Sequence, residues 1–136
     1  MRFEDWPRRL QESVAAAEEA PFAWGSHDCL SFAASVVMAI TGEDPAAPVR
    51  GRYGSYREAL RVTRDLGCSD FPAVFDHLLR YESIDPLKAQ RGDVALVQIE
   101  ANPSLVVVEG RTVCGPGAHG LSRQWLCDAR RAWRIT

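Results

Sequence analysis

The sequence predicts an α+β domain in which N-terminal helices pack on a C-terminal antiparallel sheet. Three observations carry this expectation. Apolar residues recur with a period of about 3.6 as far as Asp85-Pro86 and about 2 beyond it, the spacings that give a helix and a strand one apolar face each. Residues suited to capping helices precede the apolar stripes, at Asp5, Asp28, Ser55 and Asp70. The length of 136 residues suits one domain, which at that size buries roughly two thirds of its unfolded-chain surface without staples. The expected division is a first helix in 1–20, a helical part in 21–90 and a sheet in 91–136.

The elements follow in order. A helix over about 6–20 places Trp6, Leu10, Val14 and Ala17 on one face, with Asp5 as its cap. A second helix, 28–41, stops at Gly42, a residue that readily takes the left-handed conformation after a helix. Leu30, Phe32, Ala33, Val36, Val37 and Ile40 surround it, so it belongs at the centre. Residues 45–54 are a Pro- and Gly-rich loop. Ser55-Tyr56-Arg57-Glu58 has the form of a capping box and opens a helix over 55–66. Asp70 opens the fourth, 70–81, with Phe71, Val74, Phe75 and Leu78 as its stripe. Strands are expected at 94–99, 105–108, 112–114 and 132–135, with an irregular loop at Gly115-Pro116-Gly117 and His119-Gly120. The run Leu105-Val106-Val107-Val108 is apolar on both faces and should be covered on both.

Composition narrows the function. A net charge of −2 with interspersed signs gives no electrostatic footprint for nucleic acid. No apolar stretch is long enough to span a bilayer, and Arg2, Glu4 and Asp5 do not begin a signal peptide, so the expected place of synthesis and folding is the bacterial cytoplasm. Cys29, Cys68, Cys114 and Cys127 lack metal-ligand spacing; neither metal nor cofactor is expected, and the thiols should be reduced. Trp6, Trp24, Trp125 and Trp133 read as core or interface aromatics, with Trp24 expected beneath the second helix. Arg130, Arg131 and Arg134 around Trp133 are a candidate docking surface, with a solvated strand edge as the plainer reading.

Cys29 is the residue that points to chemistry. It would stand in the first turn of the second helix, among unpaired N–H groups at the positive end of the helix dipole. A free thiol titrates near roughly pH 8.5, and that setting lowers the value and favours the nucleophilic thiolate. The plain alternative is a buried cysteine acting as core filler.

Pro21-Phe22-x-Trp24-Gly25-x-x-Asp28-Cys29-x-x-Phe32 resembles the nucleophile motif of the NlpC-type cell-wall endopeptidases. Gln90-Arg91-Gly92-Asp93-Val94-Ala95-Leu96-Val97 is similar to the Gly-Asp-led strand of that family, and Ser104 to Gly110 to its next strand and turn. The resemblance implies a reduced papain-like fold with Cys29 as nucleophile. The length and the Ala132-Trp133-Arg134-Ile135 ending also resemble short proteins encoded among the tail-tip genes of long-tailed bacteriophages.

Several family positions have changed. The histidine that serves as general base falls on Ser104, and the third polar position on Cys114. The family's active-site Tyr is Phe22, and its Ser-Gly after the nucleophile is Leu30-Ser31. His27 and His77 read as loop and solvated residues; His119, in the Gly-rich loop, is the substitute base that could fold back over Cys29. Two functions follow from the resemblance. One is a structural component of a phage tail tip, without catalysis, whose partners are tail-tip and hub proteins and whose location is the virion. The other is an active cysteine endopeptidase or amidase that cuts peptidoglycan peptides with Cys29, using His119 as base and the Cys29 N–H in an oxyanion hole.

Overall fold

In the computed structural model, which describes residues 1–136, four helices precede a six-stranded sheet. The helices are α1 (Trp6–Ala17), α2 (Cys29–Thr41), α3 (Tyr56–Asp65) and α4 (Phe71–Leu78). Three of the four expected caps form. Asp28, Ser55 and Asp70 accept the N–H groups of Ser31, Glu58 and Ala73, at 2.8, 3.1 and 2.9 Å. Asp5 stands at the start of α1, but its carboxylate is taken by Arg8 and Arg9 and caps no N–H. Two helices end earlier than the expected 6–20 and 70–81, at Ala17 and Leu78. The Glu18 carbonyl turns away from α1 to accept the Leu121 N–H at 3.0 Å, and Leu79 is extended, leading the chain into the first strand.

The strands are β1 (Glu82–Ile84), β2 (Val94–Ile99), β3 (Asn102–Val108), β4 (Thr112–Gly117), β5 (Gly120–Trp125) and β6 (Arg131–Arg134). They lie in the order β1-β6-β2-β3-β4-β5, and every neighbouring pair is antiparallel. The expected irregular loop at 115–120 is instead the end of β4, a two-residue turn at Ala118-His119 and the start of β5, with Gly117 facing Gly120. Its pairing is made by backbone groups, so glycines can take part. The C-terminal strand is not a solvated edge: β6 lies between β1 and β2.

Side-chain alternation divides the interior into two layers. Val94, Leu96, Leu105, Val107, Cys114 and Trp133 face the helices and join the main core around α2. Ala95, Val97, Val106, Val108, Val113 and Ala132 face the other way. The chain between β5 and β6 covers that far layer with Leu126, held by bonds from the Leu126 N–H to the Arg111 carbonyl and from the Arg130 N–H to the Leu96 carbonyl. Residues 105–108 are thus buried on both faces.

Asp93 fastens the chain ends to the sheet. Its carboxylate is fully buried and accepts bonds from the Arg2 guanidinium (2.9 Å) and from the N–H groups of Gln90 (2.8 Å) and Ile135 (3.0 Å). The Gly-Asp pair read from the sequence is therefore a structural fastening.

The β2–β3 turn is strained. Glu100 and Ala101 hold φ values of 49° and 68°, a left-handed pair that two-residue hairpins normally assign to Asn-Gly. Ala101→Gly is expected to raise the unfolding free energy by about 1 kcal/mol, read from urea denaturation midpoints.

Candidate active site

A proline ends the β3–β4 ladder near Cys29. Pairing between β3 and β4 is confined to Val107 with Cys114 and Val108 with Val113. Continuing that register would set Leu105 opposite Pro116, which has no N–H to give. The ladder stops there, although Gly115 still lies against Leu105 and Val106, and the Leu105 N–H favours the Cys29 thiolate. Cys29 lines a cleft of about 1010 Å³. Tyr56 and Phe71 border it on the helical side, and Gln98, Ile99, Glu100 and Asn102 of the β2–β3 hairpin border it on the other. Phe22, Trp24, Tyr56 and Phe71 form an edge-to-face cluster at its mouth, with ring centroids 5.0 Å (Phe22–Trp24), 5.7 Å (Trp24–Tyr56) and 6.0 Å (Tyr56–Phe71) apart. Trp24 belongs to this rim and not beneath α2.

The thiol is in the expected place but not in the expected ionisation state. Burial is the largest influence on Cys29 and pushes it up to about 12, and the neighbouring Asp28 charge acts in the same direction. The N–H groups of Leu105, Leu30 and Cys29 itself favour the thiolate but are outweighed. The residue keeps partial exposure on the cleft, while its sulfur is crowded by protein atoms. Helix position alone implies a thiolate; desolvation decides against it.

None of the three histidines hydrogen-bonds to Cys29 or lines the cleft. His119 is exposed in the β4–β5 turn, and His77 is exposed on α4. His27 packs edge-to-face on Phe32, with its ring centroid 5.7 Å away. Ser104 borders the cleft, but strand alternation sends its side chain to the far face with Val106 and Val108, and its hydroxyl lies 3.5 Å from the Asn102 carbonyl. The residue that turns toward the helices beside Cys29 is Leu105, which carries no proton-accepting group. Cys114 is fully buried, and burial raises its thiol too.

Sequence reasoning missed Tyr53. Its hydroxyl lies beside the Asp28 carboxylate and Ser31, close to Cys29, and burial followed by the Asp28 charge holds it well above the ordinary phenol range. Asp28 is itself buried and also accepts the Gly25 N–H at 2.8 Å. Tyr53 thus brings a hydroxyl to the site from the 45–54 loop, where Phe22 has none. The loop closes because Gly25, at φ 83°, lets the Tyr53 carbonyl approach; a Cβ there would lie 2.0 Å from that oxygen. Gly25→Ala is expected to cost about 2–3 kcal/mol of stability and to release Tyr53, measured by thermal melts and tyrosine fluorescence.

A family model matches residues 1–135, nearly the whole length. The chain belongs to the family described as Domain of unknown function (DUF6950). No curated protein matches it. In this DUF6950 chain no group of three or more His, Cys, Asp or Glu residues is placed to hold a metal ion, and no helix is long and apolar enough to cross a membrane.

The raised thiol has a pH signature. Between pH 9 and about 12 the Cys29 thiol ionises in the unfolded chain but not in the folded one. Its contribution to stability is therefore complete below pH 9 and is lost as pH rises through that window. Native-state alkylation of Cys29 by iodoacetamide should be slow at pH 8 and accelerate only toward pH 12; a midpoint near 8.5 would contradict the buried setting.

Proposed function

We propose that this DUF6950 chain is an NlpC-like, papain-related scaffold that has given up peptidase chemistry and serves as a structural part of a bacteriophage tail tip, docked on tail-tip and hub proteins. The observation that carries this reading is the cleft around Cys29: a protonated thiol beside Leu105, with no imidazole to take its proton. Loss of a positioned base alone lowers a rate by a factor of roughly 10²–10⁴, and here the group that would orient the base is replaced by the buried Cys114. The scaffold around the lost chemistry is intact, with Asp28 capping α2, Gly25 closing the loop and Asp93 fastening the termini.

The test has two arms. Purified protein incubated with peptidoglycan sacculi should release no new peptide termini by mass spectrometry. Cys29→Ser should change stability by less than about 1 kcal/mol, since it swaps near-isosteric groups, and should leave particle assembly intact. Turnover that disappears in Cys29→Ser would establish the enzyme reading instead, and absence of the chain from purified particles would remove the tail assignment.

A further inference from the structure

The solvent face of α3 carries Arg57, Arg61 and Arg64, spaced four and three residues apart so that they form one stripe. All three are exposed, and none makes an ion pair. Arg80, Arg91, Arg111 and Arg130 are unpaired too, but they lie apart in the sequence, and only Arg57, Arg61 and Arg64 line up along one helix face. At about 1.5 Å of rise per residue the stripe is about 10 Å long. The neighbouring shoulder of the same helix, Tyr56 and Leu60, lines the cleft. Tyr56 is 54% exposed and Phe22 38%, so the aromatic mouth of the cleft lies open beside the unpaired cations.

We propose that this combined surface docks an acidic amphipathic segment of a partner protein, its apolar side chains in the aromatic mouth and its carboxylates on Arg57, Arg61 and Arg64. Charge complementarity selects the partner: three guanidinium groups with no carboxylate of their own, on a chain whose net charge is −2. The apolar half selects a protein segment over a nucleic acid, because a phosphate backbone needs a continuous basic track. Here the stripe is three residues long, with Glu58 and Asp65 on the same helix and an apolar cleft beside it. A helix or strand with acidic and apolar residues on adjacent faces matches both halves at once. The arginine fork also suits carboxylates, which it can hold through paired N–H donors. The inference rests on the structural reading above, since it assumes that the cleft binds without cleaving.

The test selects random dodecapeptides displayed on phage against the intact protein, then measures the enriched peptides by fluorescence anisotropy. Enriched sequences should combine two or more acidic residues with an aliphatic or aromatic anchor. Affinity should fall at least tenfold in Arg57→Glu/Arg61→Glu/Arg64→Glu, fall similarly in Phe22→Ser/Tyr56→Ser, and weaken with added salt. Arg111→Glu, a charge reversal at an exposed position on the β3–β4 turn, should leave it unchanged. Circular dichroism melts of each variant check that the fold survives. Selection of no consensus, of a consensus without acidic residues, or of peptides indifferent to the triple reversal would overturn the proposal. So would tighter binding of polyphosphate or duplex DNA than of any enriched peptide. Release of cleaved peptide would instead overturn the non-catalytic reading while leaving the docking surface in place, so the two failures are distinguishable.

Discussion

Trp133→Asp is expected to leave no folded protein at 25 °C. Trp133 is 1% exposed, stands opposite Val94 in the sheet and faces the core around α2. Truncating a buried tryptophan costs about 3–5 kcal/mol through lost burial and the cavity left behind. An unpaired buried carboxylate adds several more, and the Arg131 guanidinium over the ring is already committed to Asp76 at 2.5 and 2.6 Å. The sum is comparable to the whole stability of a domain, roughly 5–15 kcal/mol. Trp125→Thr is the control: Trp125 is 62% exposed on the edge strand, and its loss should change stability by no more than about 0.5 kcal/mol. Urea unfolding followed by far-UV circular dichroism reads both. A folded Trp133→Asp protein with a specific assembly defect would restore the C-terminal tryptophan as a docking residue.

Asp93→Ala is expected to cost about 3 kcal/mol, because it strands one largely buried cation, one buried donor and one part-buried donor together. Arg2 loses its carboxylate, and the Gln90 and Ile135 N–H groups lose their acceptors. Asp93→Asn keeps one acceptor oxygen and gives up the charge, so it should lie between wild type and Asp93→Ala. Arg2→Ala should cost less than Asp93→Ala, since it removes one partner and leaves both N–H bonds in place. Chemical denaturation of the three variants orders them; equal losses in Arg2→Ala and Asp93→Ala would place the stabilisation in the ion pair alone.

The helices and the inner strands were legible because local signals and burial agree there. Asp28, Ser55 and Asp70 mark helix starts that their side chains do cap, and the period of about 2 from Val94 onward gives β2 its two buried faces. What escaped is held by partners distant in sequence or by backbone alone. Glu82–Ile84 is a three-residue edge strand, exposed at Glu82 and Ser83, defined by its pairing with β6. The stretch from Gly115 to Gly120 looked irregular, and residues 121–125 showed no strand signal, because pairing there needs no apolar alternation. The position of Cys29 was read correctly from the helix start, yet its ionisation was not, since desolvation by the packed strands is a tertiary effect. Ser104 lies on β3 as expected, but which face it takes depends on strand register, and alternation turns Leu105 toward the thiol instead. Tyr53 gave no local signal, since its role depends on a loop folding back over Asp28.

The position of β6 between β1 and β2 sets the order in which the chain can be completed. Neighbours β2, β3, β4 and β5 are linked by short turns and can pair as soon as they emerge during synthesis. β1 cannot, because its only partner, β6, follows all the other strands of the sheet in sequence. Until residues 131–134 arrive, β1 has nothing to bond to, the inner edge of β2 is bare, and the main core lacks Trp133. A nascent or interrupted chain therefore exposes an unpaired strand edge beside an apolar face, the combination most prone to pairing with another molecule. Protection from aggregation is thus complete only when residues 131–134 have paired with both β1 and β2.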